Sequence, residues 1–101
     1  MRVIVFFDLP TVTAADRKAY VQFRKYLIKA GFCMEQESVY SKLAVNATSA
    51  EAISHNIRSN SPPKGIVQLM KVTEKQYTKM EYVVGKRSVD VLDSDERIII
   101  L

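Results

Sequence analysis

Residues 2–11 read RVIVFFDLPT. Residues 3–7 are all apolar, the run ends in the carboxylate of Asp8, and Pro10 then breaks the chain. An unbroken β-branched and aromatic run suits a central strand buried on both faces, so Arg2–Asp8 is expected in the middle of a sheet. Thr13, with Asp16 three residues on, makes a capping box that starts a helix directly behind that strand.

Over residues 14–30 apolar side chains recur at Tyr20, Phe23 and Leu27 and at Val21 and Ile28, the spacing of an amphipathic helix, and Gly31 closes it. Residues 32–43 read as one second strand. Its two faces are Cys33, Glu35, Glu37, Val39, Ser41 and Phe32, Met34, Gln36, Ser38, Tyr40, polar enough for one to meet solvent or a partner. Thr48 with Glu51 starts a second helix running to about Ser59, and Pro62, Pro63 and Gly65 stop it. Residues 66–73 form a third strand. Thr73 with Gln76 caps a short helical turn to about Met80, and residues 81–84 a short fourth strand. A charged loop at 86–96 leads to a last apolar strand at 97–101. These elements imply an α+β fold: a ferredoxin-like two-layer sandwich, with two helices on one face of a mainly antiparallel sheet.

With 101 residues the chain is expected to be a single domain, 1–101. Chains of this size bury only about two-thirds of their unfolded surface, and an exposed edge strand of sequence Ile98-Ile99-Ile100-Leu101 invites pairing. Both point to a homodimer joined through the terminal strands. One cysteine, Cys33, excludes an internal disulfide, and no Cys/His spacing suits zinc. There is no signal-peptide pattern and no apolar run near the roughly 18 residues of a membrane span. A cytoplasmic protein without a membrane partner is the expectation.

The charge is 15 basic against 11 acidic side chains, net +4, with a pI near 9.3. The first helix alone carries Arg17, Lys18, Arg24, Lys25 and Lys29 against Asp16, a surplus equal to that of the whole chain. Arg17 and Arg24 share a face, and the lysines make an adjoining stripe. Such a stripe can track phosphates without reading sequence; a solvated helix face is the alternative. Asp8 stands where ligands tend to sit, at a strand end. It either accepts nearby backbone N–H groups or, paired with its copy across a two-fold axis, holds Mg²⁺ for phosphodiester attack. His55 reads as a surface residue, Tyr77 and Tyr82 as packing residues rather than base-stacking ones, and Asp90, Asp93, Asp95 and Glu96 as a solvated acidic loop.

The order "FFDLP", "DRKAYVQFRKYLIKAGF", "QESVYSK", "TEKQYTKM" and "SDERIIIL" resembles the small CRISPR-associated adaptation proteins of type II systems, partners of the CRISPR integrase and often called CRISPR-associated endoribonucleases. The resemblance spans nearly the whole chain. It implies a ferredoxin-like homodimer in which each last strand adds to the partner's sheet, with spacer acquisition as the role. It also implies binding of duplex DNA, with RNA as the alternative substrate, and bridging of two integrase dimers. Asp8 matches the position assigned as Mg²⁺ ligand of a metal-dependent endonuclease. Arg17, Lys18, Arg24 and Lys25 are the candidate backbone contacts. Ser38, within the segment Gln36, Ser38, Val39, Tyr40, is a further candidate contact to phosphate or the dimer interface. The family often extends beyond the last strand, whereas this chain stops at Leu101. A non-catalytic DNA-binding scaffold and a ferredoxin-like regulator of a small ligand are the competing readings.

Overall fold

A computed structural model describes residues 1–87. The expected acidic cluster and terminal strand lie outside the described residues.

β1 (Arg2–Asp8) is the central strand its sequence demands, paired antiparallel with β3 (Val39–Leu43) on one side and with β4 (Ile66–Val72) on the other. β2 (Cys33–Gln36) completes a sheet of order β2-β3-β1-β4. α1 (Ala14–Lys29) and α2 (Ala47–Asn60) connect these strands in the order β-α-β-β-α-β, the ferredoxin-like arrangement, and α3 (Glu74–Thr78) follows β4.

Alternation along β1 sends Val3, Val5 and Phe7 to one face, where they meet Phe23 and Leu27 of α1 and Ala50 and Ile57 of α2. Both helices therefore cover the same face. Phe7 is its hub: its ring stands edge-on to Phe23 at 5.3 Å and stacks with Tyr40 at 5.7 Å. Each such pair contributes about 0.5–1.5 kcal/mol beyond burial. The stripe that α1 buries is Tyr20, Phe23, Leu27 and Ala30; Val21 and Ile28, half exposed at 46% and 52%, point away from it.

Thr13 caps α1 as expected: its hydroxyl accepts from the Asp16 amide, and the Asp16 carboxylate accepts from the Thr13 amide. At the other end Gly31 takes φ +96, donating to the Ile28 carbonyl, while the Phe32 amide donates to Leu27. This is the paired reversal that ends a helix when glycine follows its last residue.

Three expectations need correction. Residues 32–43 are not one strand but a hairpin, turned at Glu37 and Ser38 with Ser38 at φ 72. Folding back lets β3 reach β1, which one extended strand could not do while also packing Phe32. The cap of α2 is Asn46, whose side-chain oxygen accepts from the Ser49 amide at 2.8 Å, so Thr48 lies inside the helix. Residues 81–84 form no strand: they run across the sheet face, lining a groove with Ile4, Phe6 and Val39, rather than pairing with a strand, and Val83 and Val84 remain 83% and 90% exposed.

Candidate functional site

The face of the sheet away from α1 and α2 carries, along β1, Arg2, Ile4, Phe6 and Asp8, flanked by Val39, Ser41 and Leu43 of β3 and by Ile66, Gln68, Met70 and Val72 of β4. Its two ends differ. At the Arg2 end, α3 closes over it. Arg2 grips Glu74 with two nitrogens at 2.9 and 3.0 Å, donates to the Ser41 hydroxyl, and lies 4.0 Å over the Tyr77 ring. Glu35 accepts from Ser41 at 2.5 Å and from the Tyr77 hydroxyl at 2.6 Å, and Arg87 donates to that same hydroxyl. Burial first, then the bond to Glu35, pushes the Tyr77 hydroxyl above its ordinary pKa, while the Arg2 contact holds Glu74 below the usual glutamate range. This network ties α3 and Arg87 to the sheet. Tyr77, expected as a packing residue, is buried, and its hydroxyl also joins Glu35 and Arg87, bonds that no spacing in the sequence signals.

At the other end Asp8 is exposed, and its backbone still pairs with Ile66 of β4. No hydrogen bond or ion pair of the described residues uses its carboxylate. The nearby donors are committed elsewhere: Arg17 to the carbonyls of Thr11 and Val12 at 3.2 and 2.9 Å, and Lys64 to Asp16 at 3.7 Å. The expected alternative, an Asp8 satisfied by turn amides, is thus not what the chain builds. Ser38 is brought to the same end, because its carbonyl accepts from the Phe7 amide at 3.0 Å.

Of the four cationic candidates, two have structural tasks. Arg17 clamps the loop that follows Asp8, and Arg24 donates through Nε to the hydroxyl of buried Tyr40 at 3.0 Å. Lys18 and Lys25 are exposed, seven residues apart on α1, and so share one outward face. Asp8 and this lysine face belong to opposite layers, and a single chain does not bring them together. His55 is exposed on α2, Tyr82 is partly exposed, and Tyr77 is buried.

An unpaired exposed carboxylate is the donor a hard cation takes, and Mg²⁺ is commonly held by one or two carboxylates with water and phosphate oxygens. Among the described residues no three His, Cys, Asp or Glu side chains converge. Asp8 thus suits an open site of that kind and not a closed protein cage. No helix of the described residues is long and apolar enough to cross a membrane.

Residues 1–80 match the family model of the CRISPR associated protein Cas2. A Treponema denticola protein named CRISPR-associated endoribonuclease Cas2 is 54% identical over 101 residues, spanning 100% of both chains. Proteins of that name from Ligilactobacillus salivarius and Streptococcus mutans are 48% and 46% identical over 101 residues, spanning all of this chain and 100% and 93% of theirs. In the fold, the crystal structure of Streptococcus pyogenes Cas2 at pH 6.5 superposes with a TM-score of 0.60 at 21% identity, over 84% of this chain and 100% of that one. The Asp8 strand, the hairpin and the two covering helices all lie within the matched residues, and the chain belongs to the Cas2 family of CRISPR-associated proteins.

Proposed function

We propose that the chain acts in CRISPR spacer acquisition as a cytoplasmic homodimer that binds duplex nucleic acid and bridges integrase dimers, with an Mg²⁺-dependent endonuclease centred on Asp8. The observation that carries the reading is the state of Asp8: exposed and, among the described residues, unpaired at the end of a buried strand, on a sheet face whose β4 residues Ile66 and Met70 are left in water by the described residues. Ile66 and Met70 on that face are 57% and 49% exposed. A second copy laid on it would bury them and bring the two Asp8 carboxylates to the symmetry axis. The outer edge of β4, unpaired among the described residues, is where a partner's terminal strand would add.

In that dimer the two Asp8 carboxylates would hold the ion, and Mg²⁺ would supply Lewis-acid charge for a phosphodiester and an acidified water. Arg17 keeps the loop behind Asp8 in place through two carbonyls. The Ser38 hydroxyl is the neighbouring phosphate contact, and Lys18 and Lys25 hold the duplex backbone from the helical layer. The Treponema denticola relative is named an endoribonuclease, so RNA and duplex DNA are both assayed. Asp8→Asn is expected to lower Mg²⁺-dependent cleavage by on the order of 100-fold; equal cleavage by both proteins overturns the catalytic assignment.

A second reading, a DNA-binding scaffold without catalysis, is favoured by the separation of Asp8 from the lysine face. It predicts duplex binding by Asp8→Asn equal to wild type, with no cleavage by either.

A further inference from the structure

The loop 61–65, Ser-Pro-Pro-Lys-Gly, brings its last residue against the end of β1. Gly65 has φ +89, and a Cβ placed on it would stand 2.7 Å from the Asp8 carbonyl oxygen, 2.9 Å from Leu9 Cδ2 and 3.1 Å from Leu9 Cα. The first and third of these are backbone atoms, so no side-chain rotation relieves them. Both properties demand glycine: the left-handed backbone, and an approach so close that any side chain displaces the neighbour. The neighbour is the peptide that leaves Asp8. One residue later the β1·β4 ladder begins with Ile66 opposite Asp8. The direction in which Asp8 presents its carboxylate is therefore set where Gly65 packs. On the loop's other side, Leu9, Pro10, Ala15 and Asp16 meet Pro62, Pro63 and Lys64 around a small cleft of about 110 Å³. Lys64 pairs with Asp16 there, so the loop is held to α1 as well as to β1.

We infer that Gly65 is a positioning residue for Asp8, holding the strand end where its carboxylate can share an ion. The inference rests on the Asp8 metal reading above. A Cβ at Gly65 parts the end of β1 from the start of β4 and turns Asp8 away, and losing the support of a ligand typically weakens a metal site 10- to 100-fold.

The test is Mn²⁺ binding to the full chain, followed by electron paramagnetic resonance, with thermal melting and mass by light scattering in parallel. Gly65→Ala is compared with Gly31→Ala, whose φ of +96 carries the same backbone strain but whose Cβ would touch only the flexible end of Lys42, at 3.4 Å. Gly65→Ala is expected to weaken Mn²⁺ binding about tenfold or more while remaining folded; Gly31→Ala binds as wild type does. Equal Mn²⁺ affinity in the two variants overturns the inference. Should Gly65→Ala fail to fold, the Pro62→Gly, Pro63→Gly double variant loosens the same loop without adding atoms. It is expected to lose several-fold in Mn²⁺ affinity, and wild-type affinity in it overturns the inference. If wild type and Asp8→Asn bind Mn²⁺ alike, the metal reading itself fails and this inference with it.

Discussion

At the scale of single residues, the strand end and the buried polar network make opposite demands. Asp8 has no partner among the described residues, so its substitution is a change at an exposed site and should leave stability within about 0.5 kcal/mol of wild type. Ser41 is fully buried, accepting from Arg2 and donating to Glu35. Ser41→Ala takes one bond from each of these charged groups, although Arg2 keeps Glu74 and Glu35 keeps the Tyr77 hydroxyl, and a chemical-denaturation midpoint should report a loss of about 1–3 kcal/mol. The position of Asp8 was legible in the sequence, because a carboxylate ending an apolar run has no core to enter. Its freedom from turn amides was not, since that depends on the path the backbone takes through residues 9–13, which Arg17 holds by the Thr11 and Val12 carbonyls. Nor were the duties of Arg17 and Arg24: their acceptors are the Thr11 and Val12 carbonyls and a tyrosine hydroxyl 16 residues away. Side-chain spacing carries no trace of such bonds.

Among the elements, α1 joins two functions on one helix. One side is core, fixed by Phe23 and Leu27, and the other presents Lys18 and Lys25 to solvent. Lys18→Glu with Lys25→Glu should weaken duplex binding and flatten the plot of log affinity against log salt by about 2 to 4, near 0.9 per lost phosphate contact over two chains. An unchanged slope would place the duplex elsewhere. α3 is tied down by the Arg2–Glu74 pair, which holds the Glu74 carboxyl below its ordinary value of 4.5. A lowered carboxylate pKa means the fold favours the charged form. The pair's contribution is therefore complete above about pH 4.5 and is lost as pH falls through the folded value. Glu74→Gln should show a shallower fall in melting temperature over that acid range than wild type. α1 and α3 were legible from their caps, because Thr13 and Thr73 announce them, whereas α2 was legible as a helix but not in its cap, which is Asn46 and not Thr48. The hairpin was not: its turn uses Glu37 and Ser38, with Ser38 at positive φ and no Asn, Gly or Pro to mark it. Alternation holds only in part: Glu35 and Ser41 do meet, but the register shifts between Met34 and Gln36, and Gln36, expected on the face of Met34 and Tyr40, pairs with Val39 instead.

For the whole molecule, one layer of helices leaves the second face of a four-stranded sheet with a network at one end and an open carboxylate at the other. Segment 80–86 lies over the middle of that face above Ile4, Phe6 and Val39, leaving a groove of about 550 Å³. Ile66, Met70, Val83 and Val84 remain in water there. The βαββαβ order was readable once a second strand and its return were allowed, whereas the supposed strand at 81–84 reflected apolar residues that need a surface rather than a ladder. A second chain supplies that surface in the proposal, and with it the second Asp8. The decisive measurement is the stoichiometry of Mn²⁺ bound to the purified chain, by titration calorimetry, with Asp8→Asn alongside. A shared site predicts one ion for every two chains and none in the variant; one ion per chain, or binding that Asp8→Asn leaves intact, would contradict it.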